Sequence, residues 1–187
     1  SGFSLVFAYI VRKNGVNFLL YMLVYMNLLI SQSNRWGMEL EKHYIYLIPE
    51  SSVKKIIYAT FLENVKAFII GLITFMIATL IYDISFLQGI VLGITYGTFT
   101  SVILFSDLVI RRILGAGLSV VAERLMRFLI ILFMLIPGLI ISFVLGLQIN
   151  KYTAGQGTYL VLILYNILIS LLLIVLSKGI FEKIDMK

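Results

Sequence analysis

Phe128-Leu-Ile-Ile-Leu-Phe-Met-Leu-Ile-Pro-Gly-Leu-Ile-Ile-Ser-Phe-Val-Leu-Gly-Leu-Gln-Ile-Asn150 contains no charged side chain, and a helix needs about 20 such residues to cross roughly 30 Å of hydrocarbon. The same reading applies outward along the chain. Uncharged runs extend from Asn14 to Asn34, Ala67 to Tyr82, Ile84 to Ser106 and Tyr152 to Ser177. The Ala67 run is the shortest. Ile56 to Leu62 precede it, and Lys66 can extend its ammonium toward an interface, so that helix is expected to start near Val53. The predicted fold is all-α: a polytopic transmembrane bundle of about five spans, near residues 14–34, 60–82, 84–106, 128–150 and 158–177, forming a single transmembrane domain over 1–187.

Composition agrees. The 187 residues are 61% hydrophobic and 13% charged, with a mean hydropathy of +1.06, against about half apolar and a quarter charged in a soluble domain. A soluble helical core would have to hide more apolar surface than a chain of this length can cover. The net charge of +6 does not indicate nucleic acid, because the basic residues flank apolar runs instead of gathering on a solvated face. There is no cysteine, which excludes disulfides and thiolate metal sites. Ser1 opens the sequence and the run Phe3 to Val11 is too short to span, so an N-terminal portion ahead of this chain is expected.

Orientation follows from the 15 Lys and Arg, since short loops rich in them stay cytoplasmic. Arg35, Lys42, Lys54, Lys55 and Lys66 lie in or beside the first connecting segment, Arg111, Arg112, Arg124 and Arg127 in the 107–127 loop, and Lys178, Lys183 and Lys187 in the tail. The opposite side has Arg12, Lys13 and Lys151. Both long loops and the C-terminus are therefore expected in the cytoplasm. Tyr82, Phe86, Tyr152 and Tyr159 would then form the outer aromatic belt, and Trp36, Tyr44 and Tyr46 the inner one.

Two spans have small residues at intervals of four: Gly89, Gly93, Gly97 and Ser101 in the third, and Gly138, Ser142 and Gly146 beside Pro137 in the fourth. Such faces let helix backbones approach in lipid. They serve packing within the bundle, a dimer seam or a moving contact. Pro137 removes a helical hydrogen bond and is expected to kink its span.

Between the first two spans lies Arg35-Trp-Gly-Met-Glu-Leu-Glu-Lys-His-Tyr-Ile-Tyr-Leu-Ile-Pro49. Trp36, Leu40, Tyr44, Leu47 and Ile48 fall near helical spacing, with Glu39, Glu41, Lys42 and His43 on the other face. This reads as an amphipathic helix on the membrane surface, ended by Pro49, with Ser51 or Ser52 able to cap the next helix. It either anchors the segment at the head groups or receives force from a cytoplasmic partner. In the 107–127 loop, Asp107 with Arg111 and Glu123 with Arg127 have acid-first spacing for pairs on helical turns, separated by Gly115-Ala-Gly117. Such a loop is solvated or docks a partner.

The segment Glu39 to Tyr58, set between two spans, resembles the membrane subunits of bacterial ABC exporters, especially the group described as putative ABC exporters, and is more distantly similar to type-2 ABC permeases. The resemblance implies a permease subunit in the bacterial cell membrane. It would pair with a separate cytoplasmic ABC ATPase through Arg35, Trp36, Glu39, Leu40, Glu41, Lys42, His43, Tyr44, Leu47 and Pro49, and with a second permease copy or half. No cofactor is expected on this chain, and ATP and Mg would be held by the ATPase. The alternative reading is a non-transporting membrane scaffold that assembles through its small-residue faces.

Other chemistry is sparse. No phosphate-cradling Gly-rich loop ending in Gly-Lys-Ser/Thr occurs. His43 is the sole histidine, and with Glu39 it makes a weak metal pair. The uncharged runs lack the carboxylates of proton-driven transport or intramembrane catalysis. Asn27, Gln88 and Asn166 are the amides at or near membrane depth, and such groups commonly hydrogen-bond between helices.

Overall fold

The computed structural model describes residues 2–30, 51–114, 120–153 and 155–177. Among them are five helices and no strand: α1 (Gly2–Ile30), α2 (Ser52–Tyr82), α3 (Phe86–Leu114), α4 (Val120–Ile149) and α5 (Gly157–Ser177). Four contain stretches long and apolar enough to cross a bilayer, in α2, Phe86–Ile110, Phe128–Ile149 and α5. In α1 the apolar part is Gly15–Leu29. It follows a break at Gly15, whose φ of 80° and ψ of 177° are open to glycine but strained for an L side chain.

The helices run beyond the uncharged segments that predict them. At 31 residues α2 is about 46 Å long, so its first three turns exceed what the hydrocarbon needs. Ser51 occupies the N-cap position but makes no side-chain capping bond. Its carbonyl accepts from the Lys55 amide at 3.1 Å. The 107–127 segment is likewise not an irregular loop: 107–114 continue α3 and 120–127 open α4. Asp107, read as part of a loop that is solvated or docks a partner, is buried within α3 at 3% exposure.

α3 is the central helix. Its apolar window is 78% buried, against 22–28% for the other three long spans, and α1, α2, α4 and α5 all pack on it, while α2 scarcely touches α1 or α5. The bundle is inverted relative to a soluble one. Leu80, Phe133, Val175 and Phe86 point outward, as they do when the surrounding solvent is lipid. Near one end Val16, Leu20, Phe75, Ala78, Leu92 and Tyr159 pack together. Toward the other, Ile56, Val102, Phe105, Leu108 and Leu173 form a second core.

Contacts fix the directions. Gly89 faces Phe75 and Thr79, and Gly97 faces Phe68, so α2 and α3 are antiparallel. Gly138 against Tyr165 and Gly146 against Thr158 make α4 and α5 antiparallel too. The turns at Asp83 and Lys151 thus share one end of the bundle. Ser52, Leu114, Val120 and Ser177 share the other.

Candidate functional site

The small-residue stripes are closed within the chain. A Cβ built on Gly93 would lie 2.9 Å from the Leu72 Cα, and one on Gly97 would lie 2.4 Å from the Phe68 ring. Backbone therefore meets backbone along α2 and α3. The stripe continues into Ser101, whose hydroxyl donates to Asn64 Oδ1 at 2.8 Å or to the Gly97 carbonyl at 3.0 Å.

That bond belongs to a ring of three. Asn27 Nδ2 on α1 donates to Thr100 Oγ1 at 2.6 Å, and Asn166 Nδ2 on α5 donates to Thr98 Oγ1 at 3.3 Å. Asparagines from three helices thus converge on hydroxyls at Thr98, Thr100 and Ser101 of α3. Because residues 98, 100 and 101 are spread around a single helical turn, these hydroxyls point in different directions and reach different neighbours. Hydrogen bonds between membrane helices average about 0.6 kcal/mol, so the ring orients the bundle without locking it. A fourth amide, Asn17 of α1, accepts from the Tyr159 hydroxyl of α5 near the Asp83 end. Tyr159 is therefore turned inward at 9% exposure, whereas Tyr152, at 89%, faces out.

Pro137 lies inside α4. Tyr165 lays its ring on Gly138 and donates its hydroxyl to the Met134 carbonyl at 2.8 Å. The tyrosine thus reaches from Gly138 to the Met134 carbonyl, beside the proline that interrupts the backbone ladder of α4, a recognised cause of helix kinking. Ser142 turns back on its own helix, to the Leu139 carbonyl at 3.0 Å.

Two grooves flank α2, both floored by α3. The first, of about 120 Å³, lies between α1 and α2 and is lined by Asn27, Glu63, Lys66, Tyr96 and Thr100 among others. Lys66 and Glu63 pair there at 3.2 Å. The second, of about 240 Å³, lies between α2 and α5. Of the predicted coupling residues, Arg35, Trp36, Glu39, Leu40, Glu41, Lys42, His43, Tyr44, Leu47 and Pro49 lie outside the described residues. Sequence reasoning passed over Asn64 and Tyr165, which have direct roles in this geometry.

A bundle of long apolar helices with lipid-facing apolar side chains, a polar ring at its axis and lateral grooves defines a multi-pass membrane protein. Within that class, the chain belongs to the family described as "Putative ABC exporter", which matches residues 1–185, and this makes it a transport-related membrane protein. No curated protein and no solved structure matches the chain.

Proposed function

We propose that this chain is the transmembrane permease subunit of an ATP-driven exporter in a bacterial cell membrane, working with a separate cytoplasmic ATPase that binds ATP and Mg. The family match over nearly the whole chain carries this reading. The surface segment Arg35 to Ile48 docks on the ATPase. Its motion enters the membrane at Pro49 and the start of α2, the helix that leads directly from that segment.

The geometry supports such a route. α2 is long and rests chiefly on α3, through a glycine seam and a side-chain hydrogen bond at Ser101. Force on its first turns would shift it along α3 and alter the grooves on either side. A scaffold assembling through small-residue faces finds less support, since Gly93 and Gly97 are covered by α2 and Gly138 and Gly146 by α5. The basic end of the bundle, with Ser52, Leu114 and Ser177, faces the cytoplasm in this reading.

Co-purification tests the docking claim. Replacing Trp36, Leu40 and Tyr44 together with Ala should remove the ATPase from the detergent-solubilised complex while leaving the permease folded. ATPase association at the wild-type level would remove these residues as the docking surface.

A further inference from the structure

We infer that the groove between α1 and α2 binds the head group of a zwitterionic phospholipid, one with a primary ammonium, from the leaflet at the Ser52 end of the bundle. Glu63 and Lys66 line its α2 wall, Asn27 its α1 wall and Thr100 its α3 floor. α1 and α2 both pack on α3 but scarcely on each other, so the groove opens sideways into lipid.

The ion pair carries the inference. The Lys66 ammonium donates to Glu63 Oε1 at 3.2 Å, and the two side chains stay 55% and 34% exposed. Among the described residues neither has another partner. An ammonium has three donors and a carboxylate two acceptor oxygens, so both keep capacity for a ligand. A pair at this spacing adds little to a helix by itself, whereas ionisable groups inside a membrane span mark functional sites by default. Counting helical rise from Tyr82, Gly15 and Phe86, Lys66 lies about 24 Å and Glu63 about 28 Å from the Asp83 end, with Asn27 and Thr100 at about 18 and 21 Å. In about 30 Å of hydrocarbon, the pair thus sits just inside the far interface, and the two neutral groups lie deeper.

The order of the charges selects the occupant. A lipid of that leaflet points its chains toward the middle of the membrane, and its phosphate is bonded nearer the chains than its ammonium. Lys66, the deeper residue, meets the phosphate, and Glu63, one turn nearer the interface, meets the ammonium. A lone anion would meet Glu63 beside its cationic partner, and a lone cation would meet Lys66, so each would be repelled. A primary ammonium gives hydrogen bonds to a carboxylate, whereas a quaternary one has no N–H to give. Asn27 donates one amide N–H to Thr100 and has a second for an ester carbonyl, the next polar group along the lipid. The volume of about 120 Å³ equals about four waters at roughly 30 Å³ each, so the head group enters while the chains lie outside over Ile70, which is 55% exposed. The order holds whichever compartment the Ser52 end faces, and the site does not rest on the ATPase reading.

The test is native mass spectrometry of the full chain in delipidating detergent, titrated with phosphatidylethanolamine, phosphatidylcholine or phosphatidylglycerol of identical chains. Expected is one phosphatidylethanolamine bound saturably, at least about 10-fold tighter than either of the others, the equivalent of one charge-assisted hydrogen bond. Chainless glycerophosphoethanolamine at the same concentration should not displace it. Glu63→Gln should bring phosphatidylethanolamine down to the phosphatidylcholine level, and Ile70→Trp, which covers the groove, should abolish binding. Exchanging the pair, Glu63→Lys with Lys66→Glu, keeps the two charges together but reverses their order, and should remove the preference while leaving the melting temperature in lipid-free detergent unchanged. Equal binding of the three lipids, equal displacement by the chainless head group, undiminished binding in Ile70→Trp, or a preference that survives either Glu63→Gln or the exchange would overturn the assignment.

Discussion

Ser101 of α3 lies 2.8 Å from Asn64 Oδ1 of α2, at the point where the glycine seam between these helices ends and the polar ring begins. Close backbone approach and hydrogen bonding thus act on the same helix pair, one above the other. Asn64 also donates to the Thr60 carbonyl at 3.2 Å, which holds its amide in the orientation Ser101 needs. Asn64→Leu, close in shape, should therefore destabilise the bundle by about 1 kcal/mol. Asn166→Leu removes one longer bond together with an unsatisfied oxygen, and should change stability by less than about 0.5 kcal/mol. Reversible unfolding of both variants in mixed micelles measures the difference. Equal losses would show that the two amides contribute alike.

The glycine seam allows a sharper comparison. A methyl on Gly93 meets the Leu72 Cα at 2.9 Å, and backbone cannot rotate away as a side chain can. Gly93→Ala should separate α2 from α3 and cost about 1–3 kcal/mol, in the range of overpacked cores. A methyl on Gly89 comes within 2.4 Å of a Thr79 methyl, the end of a side chain, so Gly89→Ala should cost less. Melting temperatures of the two variants, purified in the same detergent, give the order.

Much of this architecture is legible in the sequence. Uncharged runs mark the spans because hydrocarbon tolerates few charges, and the four-residue spacing of Gly89, Gly93 and Gly97 marks a contact face. Other parts are not legible, for identifiable reasons. Hydropathy reports where the membrane ends, not where a helix ends, so 107–114 read as part of a loop although they continue α3, whereas the start of α2 near Val53 is legible from the apolar residues ahead of its uncharged run. Asn64 sits between Glu63 and Lys66 and reads as part of a charged edge. Its partner Ser101 reads as one more small residue in a stripe. Tyr165 gives no signal at all, because its role depends on meeting Pro137 across a helix interface that no periodicity encodes.

The Tyr165 and Pro137 pair should be energetically coupled. Tyr165→Phe removes the bond to the Met134 carbonyl and should cost about 1 kcal/mol. In a Pro137→Ala background the restored amide can bond the Phe133 carbonyl, so this turn of α4 leans less on Tyr165. Tyr165→Phe should then cost measurably less. A double-mutant cycle from unfolding data reads the coupling directly. Strict additivity would mean that the tyrosine and the proline act independently.

Sidedness can be settled by labelling, and the absence of native cysteine makes single-cysteine variants clean reporters. The helix directions put residues 54 and 124 toward one end of the bundle and 151 at the other, while the distribution of Lys and Arg assigns the first end to the cytoplasm. In intact cells a membrane-impermeant maleimide should therefore modify Lys151→Cys, on the exposed turn between α4 and α5, and leave Lys54→Cys and Arg124→Cys unmodified until the membrane is opened. If Lys54→Cys and Arg124→Cys react on opposite sides, the antiparallel order of the helices is wrong. If both react from outside while Lys151→Cys does not, the helix order stands but the molecule is inverted. The surface segment ahead of α2 would then face away from any cytoplasmic ATPase, and the docking reading would fail while the grooves and the asparagine ring remained.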